Sequence, residues 1–270
     1  SFPGFLGPAY APFQPQGEGL ADMKLQGIDL DRLGDREALL ASFDRFRRQW
    51  DSSGQMQGMD AFSQRAMGIL TSSDLFDALD VSSEDPKLVE RYGSDDATKP
   101  KGDGAPRVPQ NFLMARRLVE AGVRVVTVNY SFWDWHGGNF DHAREELPVF
   151  DQGISALVQD LHDRGMSDDV TVVAWGEFGR TPKINKTAGR DHWPKVFSGL
   201  LAGGGLKKGV VYGKSDALAA EPEEDALSHQ DLATTVYKQM GIIADKELMA
   251  PGDRPIEIVN GGKVINNIIA

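Results

Sequence analysis

The chain has 270 residues, with 40 acidic against 29 basic side chains, a net charge of −11 and no cysteine. That balance argues against a nucleic-acid partner, because tracking phosphates needs an excess of Lys and Arg. Disulfides, thiolate ligands and a Cys nucleophile are excluded together, and no run approaches the roughly 18 apolar residues of a membrane span.

Residues 1–20 are rich in Pro, Gly and aromatics without a period and read as an extended arm, whose Phe2, Phe5, Tyr10 and Phe13 are expected to pack on the body. No signal peptide is recognisable, and the first residue, Ser, suggests a processed or trimmed chain. A helical excursion is expected over about residues 31–92. In it Asp35 is a candidate N-cap for a helix marked by Leu39, Phe43, Phe46 and Trp50, and shorter helical pieces cover Met59–Leu70 and Ser73–Leu79. Gly93–Pro109 holds almost no large apolar residue and reads as a loop.

From Gln110 the pattern becomes alternating α/β. Phe112, Ala115 and Val119 form one helix face stopped at Gly122, and Val123–Tyr130 is a Val-rich run expected to be a buried strand. Leu147, Phe150, Ile154, Leu157, Val158 and Leu161 trace a second helix ended by Gly165. Val170–Trp175 and Val196–Ala202 are further expected strands, and Gly203–Gly205 a plain turn. Ser228 and Asp231 have capping-box spacing before a helix through Leu232, Val236 and Met240, and Lys263–Ile269 is a candidate last strand. Strand, helix, strand in that order predicts a mostly parallel sheet with helices on both faces and ligands at the carboxyl ends of the strands. Residues 1–270 are read as one α/β domain, with the body over 110–270.

The chemistry concentrates between Trp133 and Pro194, which holds every histidine but His229. Asp134 and His136 are two apart after an expected strand; they either reach a common metal or belong to a loop in which Asp134 caps a turn and His136 stacks on a tryptophan. Glu177 follows the next strand between Gly176 and Gly179, glycines that let backbone approach a ligand. It is either a metal ligand or the partner of Arg180. Asp191-His192 supplies a ligand and its orienting neighbour, or ligands to two metals, or merely a capped surface turn. Arg180 and Arg190 are candidates for binding anionic oxygens, since guanidinium geometry suits phosphate and sulfate. His142 is read as a residue beside the site or at the surface, and His162 and His229 as surface residues. No Gly-x-Ser-x-Gly elbow supports a serine hydrolase.

Five blocks together resemble the DUF1501 family, a sulfatase-like group of the alkaline phosphatase superfamily. They are Ala115-Arg116-Arg117-Leu118-Val119-Glu120-Ala121-Gly122-Val123, Trp133-Asp134-Trp135-His136-Gly137-Gly138-Asn139-Phe140, Gly176-Glu177-Phe178-Gly179-Arg180-Thr181-Pro182, Gly189-Arg190-Asp191-His192-Trp193-Pro194 and Leu201-Ala202-Gly203-Gly204-Gly205. The resemblance implies an alkaline-phosphatase-like three-layer sandwich with a mostly parallel central sheet. It implies metal ligation by Asp134, His136, Glu177 and His192, with Asp191 beside them, and metal-dependent hydrolysis of a small-molecule or glycan phosphate or sulfate ester. Two imidazoles suit Zn or Mn rather than Ca. Export to the periplasm is also implied. Members of the family usually begin with a Gly-Gly-x-Ser-His-x-Asp-Thr-Phe-Asp-like segment that bears the nucleophile, and nothing in Ser1–Leu20 matches it. The nucleophile is therefore expected upstream, and the competing expectation is a non-catalytic binding or scaffold protein.

Overall fold

A computed structural model of the chain describes residues 4–7, 10–14, 73–94 and 104–270. Two compact units are present, Ser1–Asp80 and Val81–Ala270. In the first, Ser73–Leu79 forms helix α1, as the sequence predicts, and Gly4–Leu6 forms a 3-10 turn within the arm expected to be extended. Tyr10 and Phe13 of the arm are 58 % and 40 % exposed, against the expectation of burial. Phe2, the side chain of Phe5, and the helices expected over 35–50 and 59–70 lie outside the described residues.

The second unit is organised by three helices. α2 (Pro86–Tyr92) starts where Asp85 accepts the Lys87 amide and Pro86 takes the first helical position, whose fixed φ suits a helix start. α3 (Gln110–Glu120) presents Phe112, Leu113, Ala115 and Leu118 to the interior. α4 (Asn139–Asp163) runs 25 residues, eight longer at its start than the stripe from Leu147 announces. Asp141 in its first turn complements the helix dipole there. Leu147 and Val158, counted into that stripe, stay on the solvent side, while Ile154, Ala156, Leu157 and Leu161 turn inward. With Tyr92, Phe112, Leu113 and Tyr130 they form the larger core, against which Phe150, Val128, Val170 and Val172 pack.

A buried charge network ties these helices. Arg116 of α3 is 1 % exposed. It donates to Asp160 of α4 at 2.9 Å, to Glu120 at 2.6 Å and to Glu84 at 2.6 Å. Asp160 also accepts from the Tyr92 hydroxyl of α2 and from Arg164, both at 2.9 Å. Burial pushes the Tyr92 phenol well above its ordinary range, and the Asp160 carboxylate pushes it further.

The described strands form four two-stranded antiparallel sheets: β1 (Thr171–Ala174) with β4 (Leu200–Gly203), β2 (Gly179–Arg180) with β3 (His192–Trp193), β5 (Lys214–Ser215) with β6 (Pro222–Glu224), and β7 (Glu247–Ala250) with β8 (Arg254–Glu257). The expected parallel pairing is not among them. Between β1 and β4 the chain contains no crossover helix; it folds out into the β2–β3 hairpin and returns to the end it left, which imposes antiparallel pairing. Val123–Tyr130 joins no ladder, and Val125 is 65 % exposed, so its Val-rich composition does not correspond to a buried strand here. Residues 196–199 precede β4 rather than belonging to it, and the tail forms a 3-10 turn, Asn266–Ile268, instead of a strand.

The capping box is present as spaced in the sequence: Asp231 N–H donates to Ser228 Oγ and Ser228 N–H to Asp231 Oδ2, opening α5 (His229–Gln239). Leu232 of α5, Leu206, Ile265 and Ile268 make a second core. Among the described residues no helix is long and apolar enough to cross a membrane.

Two outcomes follow from the charge network. Asp160→Ala leaves Arg116 short of a buried partner, so stability should fall by about 3–5 kcal/mol, lowering the thermal midpoint by roughly 10 °C for a unit of this size; calorimetry checks it. Burial pushes the Glu84 carboxyl up, but hydrogen bonds from Arg116 and Arg117 prevail and hold it below its ordinary 4.5. A depressed folded-state value stabilises above the ordinary one and is lost as pH falls through the depressed range. The thermal midpoint should therefore drop below about pH 4.5 in wild type and drop less in Glu84→Gln.

Candidate functional site

The core reaches the site through aromatic contacts. Trp133 packs edge-on against Phe150 of α4 with ring centres 5.6 Å apart, and its indole N–H donates to the Tyr130 carbonyl at 2.7 Å. The chain then makes two tight steps, Trp135 N–H to Trp133 O and His136 N–H to Asp134 O, at 3.0 and 3.1 Å. This is a turn, not a continuing strand, yet it brings Asp134 and His136 to one place as strand spacing would.

The second half comes from the β2–β3 hairpin, whose register sets Arg180 opposite His192. His192 Nε2 lies 2.8 Å from Asp134 Oδ1, His136 Nε2 lies 3.0 Å from the same oxygen, and the two imidazole nitrogens are 3.1 Å apart. Asp134, His136 and His192 thus point one carboxylate oxygen and two ring nitrogens at a common centre. All three side chains are open to solvent, between 41 % and 48 % exposed. The hydrogen bond from His192, helped by the Arg180 charge, holds the Asp134 carboxyl down to about 2. Phe178 lies against the His192 ring at 4.4 Å.

Asp191 stands behind this triangle. Its Oδ1 accepts from His136 Nδ1 at 2.8 Å, and that bond lowers the Asp191 carboxyl below its ordinary value. An ionised carboxylate can only accept, so a proton sits on Nδ1, which leaves Nε2 as the nitrogen a metal at the centre would take. Of the readings open in the sequence, the geometry matches Asp191 as the group that orients an imidazole.

A polar loop supports both halves, and here the sequence reading missed two residues. Asn185 Nδ2 donates to the His136 carbonyl at 3.0 Å and to Asp191 Oδ1 at 3.2 Å, while Thr187 Oγ1 donates to the His136 carbonyl at 2.7 Å. Asn185 Oδ1 in turn accepts the Thr187 and Gly189 amides. The signal was the spacing Asn185-x-Thr187-x-Gly189, in which an Asn side chain closes a turn on its own following backbone. Gly189 is compelled by proximity, since a Cβ there would sit 2.0 Å from the His136 carbonyl group.

Other candidates lie elsewhere. Glu177 is exposed and makes no hydrogen bond or ion pair among the described residues, so it neither joins the triangle nor clamps Arg180. Arg180 Nη1 instead lies 2.6 Å from Asp134 Oδ1. Arg190 is turned away, donating to the carbonyls of Thr181 and Pro182 and lying over the Phe140 ring. Gly179 admits the protein's own Val196 carbonyl rather than a ligand. His142 stacks on Trp135 beside the site, and His162 is exposed, both as expected. His229, expected at the surface, is half-buried and stacked on Phe197 with ring centres 4.4 Å apart.

The sequence profile of one protein family, described as "Protein of unknown function (DUF1501)", matches residues 2–269, and the chain belongs to that family. No curated protein and no solved structure matches the chain.

Because Gly189 touches the backbone that carries His136, Gly189→Ala should separate the two halves while leaving the helical core intact. The expected outcome is unchanged far-UV circular dichroism with altered imidazole chemical shifts of His136 and His192; unshifted imidazole signals would show the loop to be dispensable.

Proposed function

We propose that this DUF1501 chain is a metal-dependent hydrolase of phosphate or sulfate esters, related to the sulfatase-like branch of the alkaline phosphatase superfamily. The observation that carries the reading is the convergence of Asp134 Oδ1, His136 Nε2 and His192 Nε2. Their mutual separations of 2.8–3.1 Å need to widen only slightly to meet a tetrahedral ion, for which bonds near 2.0–2.1 Å put ligand atoms about 3.3 Å apart. One carboxylate and two imidazoles suit Zn or Mn better than Ca. Three protein ligands leave a position open, which is the mark of a catalytic rather than a structural site.

A divalent ion held there would supply Lewis acidity, polarising the ester and making water nucleophilic at neutral pH. The chain's own residues divide the remaining work. Asp191 keeps His136 in the tautomer that offers Nε2, and Asn185 holds Asp191. Asp134, ionised far below neutrality, needs to release no proton to ligate. Arg180, beside the triangle, is the cation placed to receive an oxygen of the ester's anionic group; Arg190, committed to backbone carbonyls, is not.

A second reading, a non-catalytic binding protein, draws support from one feature. Among the described residues no Ser or Thr hydroxyl bonds to a side chain of the triangle: Ser131 donates to Glu146 and Thr181 to the Lys183 carbonyl. The two readings separate experimentally. Titration with Zn or Mn should give binding that His136→Ala weakens at least about tenfold, the scale of a lost ligand. Metal-loaded protein should also hydrolyse p-nitrophenyl phosphate or sulfate, and His192→Ala should abolish that turnover. Binding without turnover would favour the binding protein, and equal binding by wild type and His136→Ala would remove the metal site itself.

A further inference from the structure

Asp134 Oδ1 is overcommitted. Three nitrogens crowd it: Arg180 Nη1 at 2.6 Å, His192 Nε2 at 2.8 Å and His136 Nε2 at 3.0 Å. The guanidinium contact differs from the others. It is the shortest of the three, and among the described residues Nη1 has no acceptor other than this carboxylate. Arg180 therefore neutralises Asp134, and nothing else described holds Nη1.

The backbone beneath Arg180 is held in place. Besides the β2–β3 register, the Thr181 amide donates to the Asp191 carbonyl at 2.8 Å and the Asp191 amide to Thr181 Oγ1 at 3.1 Å. The guanidinium can thus change partner without moving the strand that also presents His192. Resting on the metal reading above, a divalent ion on Asp134 would take the carboxylate for itself and leave Arg180 a cation beside a cation. No free carboxylate of the cluster remains to compensate, since Asp191 faces His136 Nδ1. That arrangement is repulsive until an anion enters.

We propose that Arg180 couples metal loading to oxyanion binding: the metal displaces the guanidinium from Asp134, and the displaced guanidinium donates Nη1–H to an oxygen of a tetrahedral anion of the phosphate or sulfate class. Metal and anion then bind with positive cooperativity, and the coupling is reciprocal by linkage. The site discriminates against the bare ion and against the bare anion, and it closes fully only when both are present.

The test is calorimetric titration with Mn²⁺ in sulfate and in chloride of equal ionic strength. Wild type should bind Mn²⁺ about tenfold more tightly in sulfate, within the usual range of coupling between sites. Arg180→Gln should bind Mn²⁺ in chloride at least as tightly as wild type, because a competing cation is gone, and should show no sulfate effect. Arg180→Lys, which preserves the charge at the same backbone position, should retain part of the effect and guards against a folding defect in the glutamine variant. If wild type and Arg180→Gln bind Mn²⁺ with equal sulfate enhancement, or neither shows any, the coupling is wrong and the metal site stands. If neither Mn²⁺ nor Zn²⁺ binds wild type, both readings fall together.

Discussion

The Arg116–Asp160 pair is the constraint on which the larger unit depends. An arginine at 1 % exposure cannot be left uncompensated, and its guanidinium reaches Asp160, Glu120 and Glu84 at once. Those partners lie on α3, on α4 and just before α2, so satisfying one buried cation fixes how three helices meet. Tyr92 completes the arrangement from α2 by donating to the same Asp160. Apolar packing supplies most of the stabilisation; the charges restrict the helices to one register, because sliding any of them would strand a buried ion.

That register is transmitted to the site by direct contact. α4 carries Asp160 inside and Phe150 nearer its start, and Phe150 seats Trp133. From Trp133 the chain has only one residue to travel to Asp134 and three to His136. The other half hangs on the β2–β3 hairpin, and the Asn185 loop joins the halves by bonding the His136 carbonyl and Asp191 together. The triangle is therefore open to solvent but supported from behind, a combination suited to binding something that arrives from outside.

In electrostatic terms the cluster gathers one guanidinium and two imidazoles around one oxygen. Arg180, His192 and His136 all face Asp134 Oδ1, and the carboxyl is ionised well below neutral pH as a result. A carboxylate so held would offer a metal an oxygen with no proton to remove, and on the proposed coupling the neighbouring guanidinium would make a metal's arrival depend on where that positive charge goes next. On that proposal the same pair of residues would bear on both a metal and an anion.

Much of the secondary structure was legible because it rests on local periodicity and capping. α3, the inward face of α4 and the Ser228–Asp231 box needed no tertiary information, since each is decided within a few residues of the chain. The convergence of Asp134, His136 and His192 was legible too, as side chains of these types are scarce in the chain and occurred close together. Strand partners were not: alternation in a Val-rich run states that a segment can be extended, but whether 123–130, β1 and β4 pair, and in which direction, depends on the path of the intervening chain. Nor did composition separate Arg180 from Arg190, or Asp191 from a ligand. Each of those roles is set by which atom faces which across intervals of sequence, 9 residues for Arg190 against Thr181 and 55 for Asp191 against His136. The amino-acid sequence by itself determined the inventory of chemically able groups and the helices that carry them. Only the tertiary structure decided which of those groups share a centre, because hydrogen bonds and ion contacts act over about 3 Å and sequence separation places no bound on that distance.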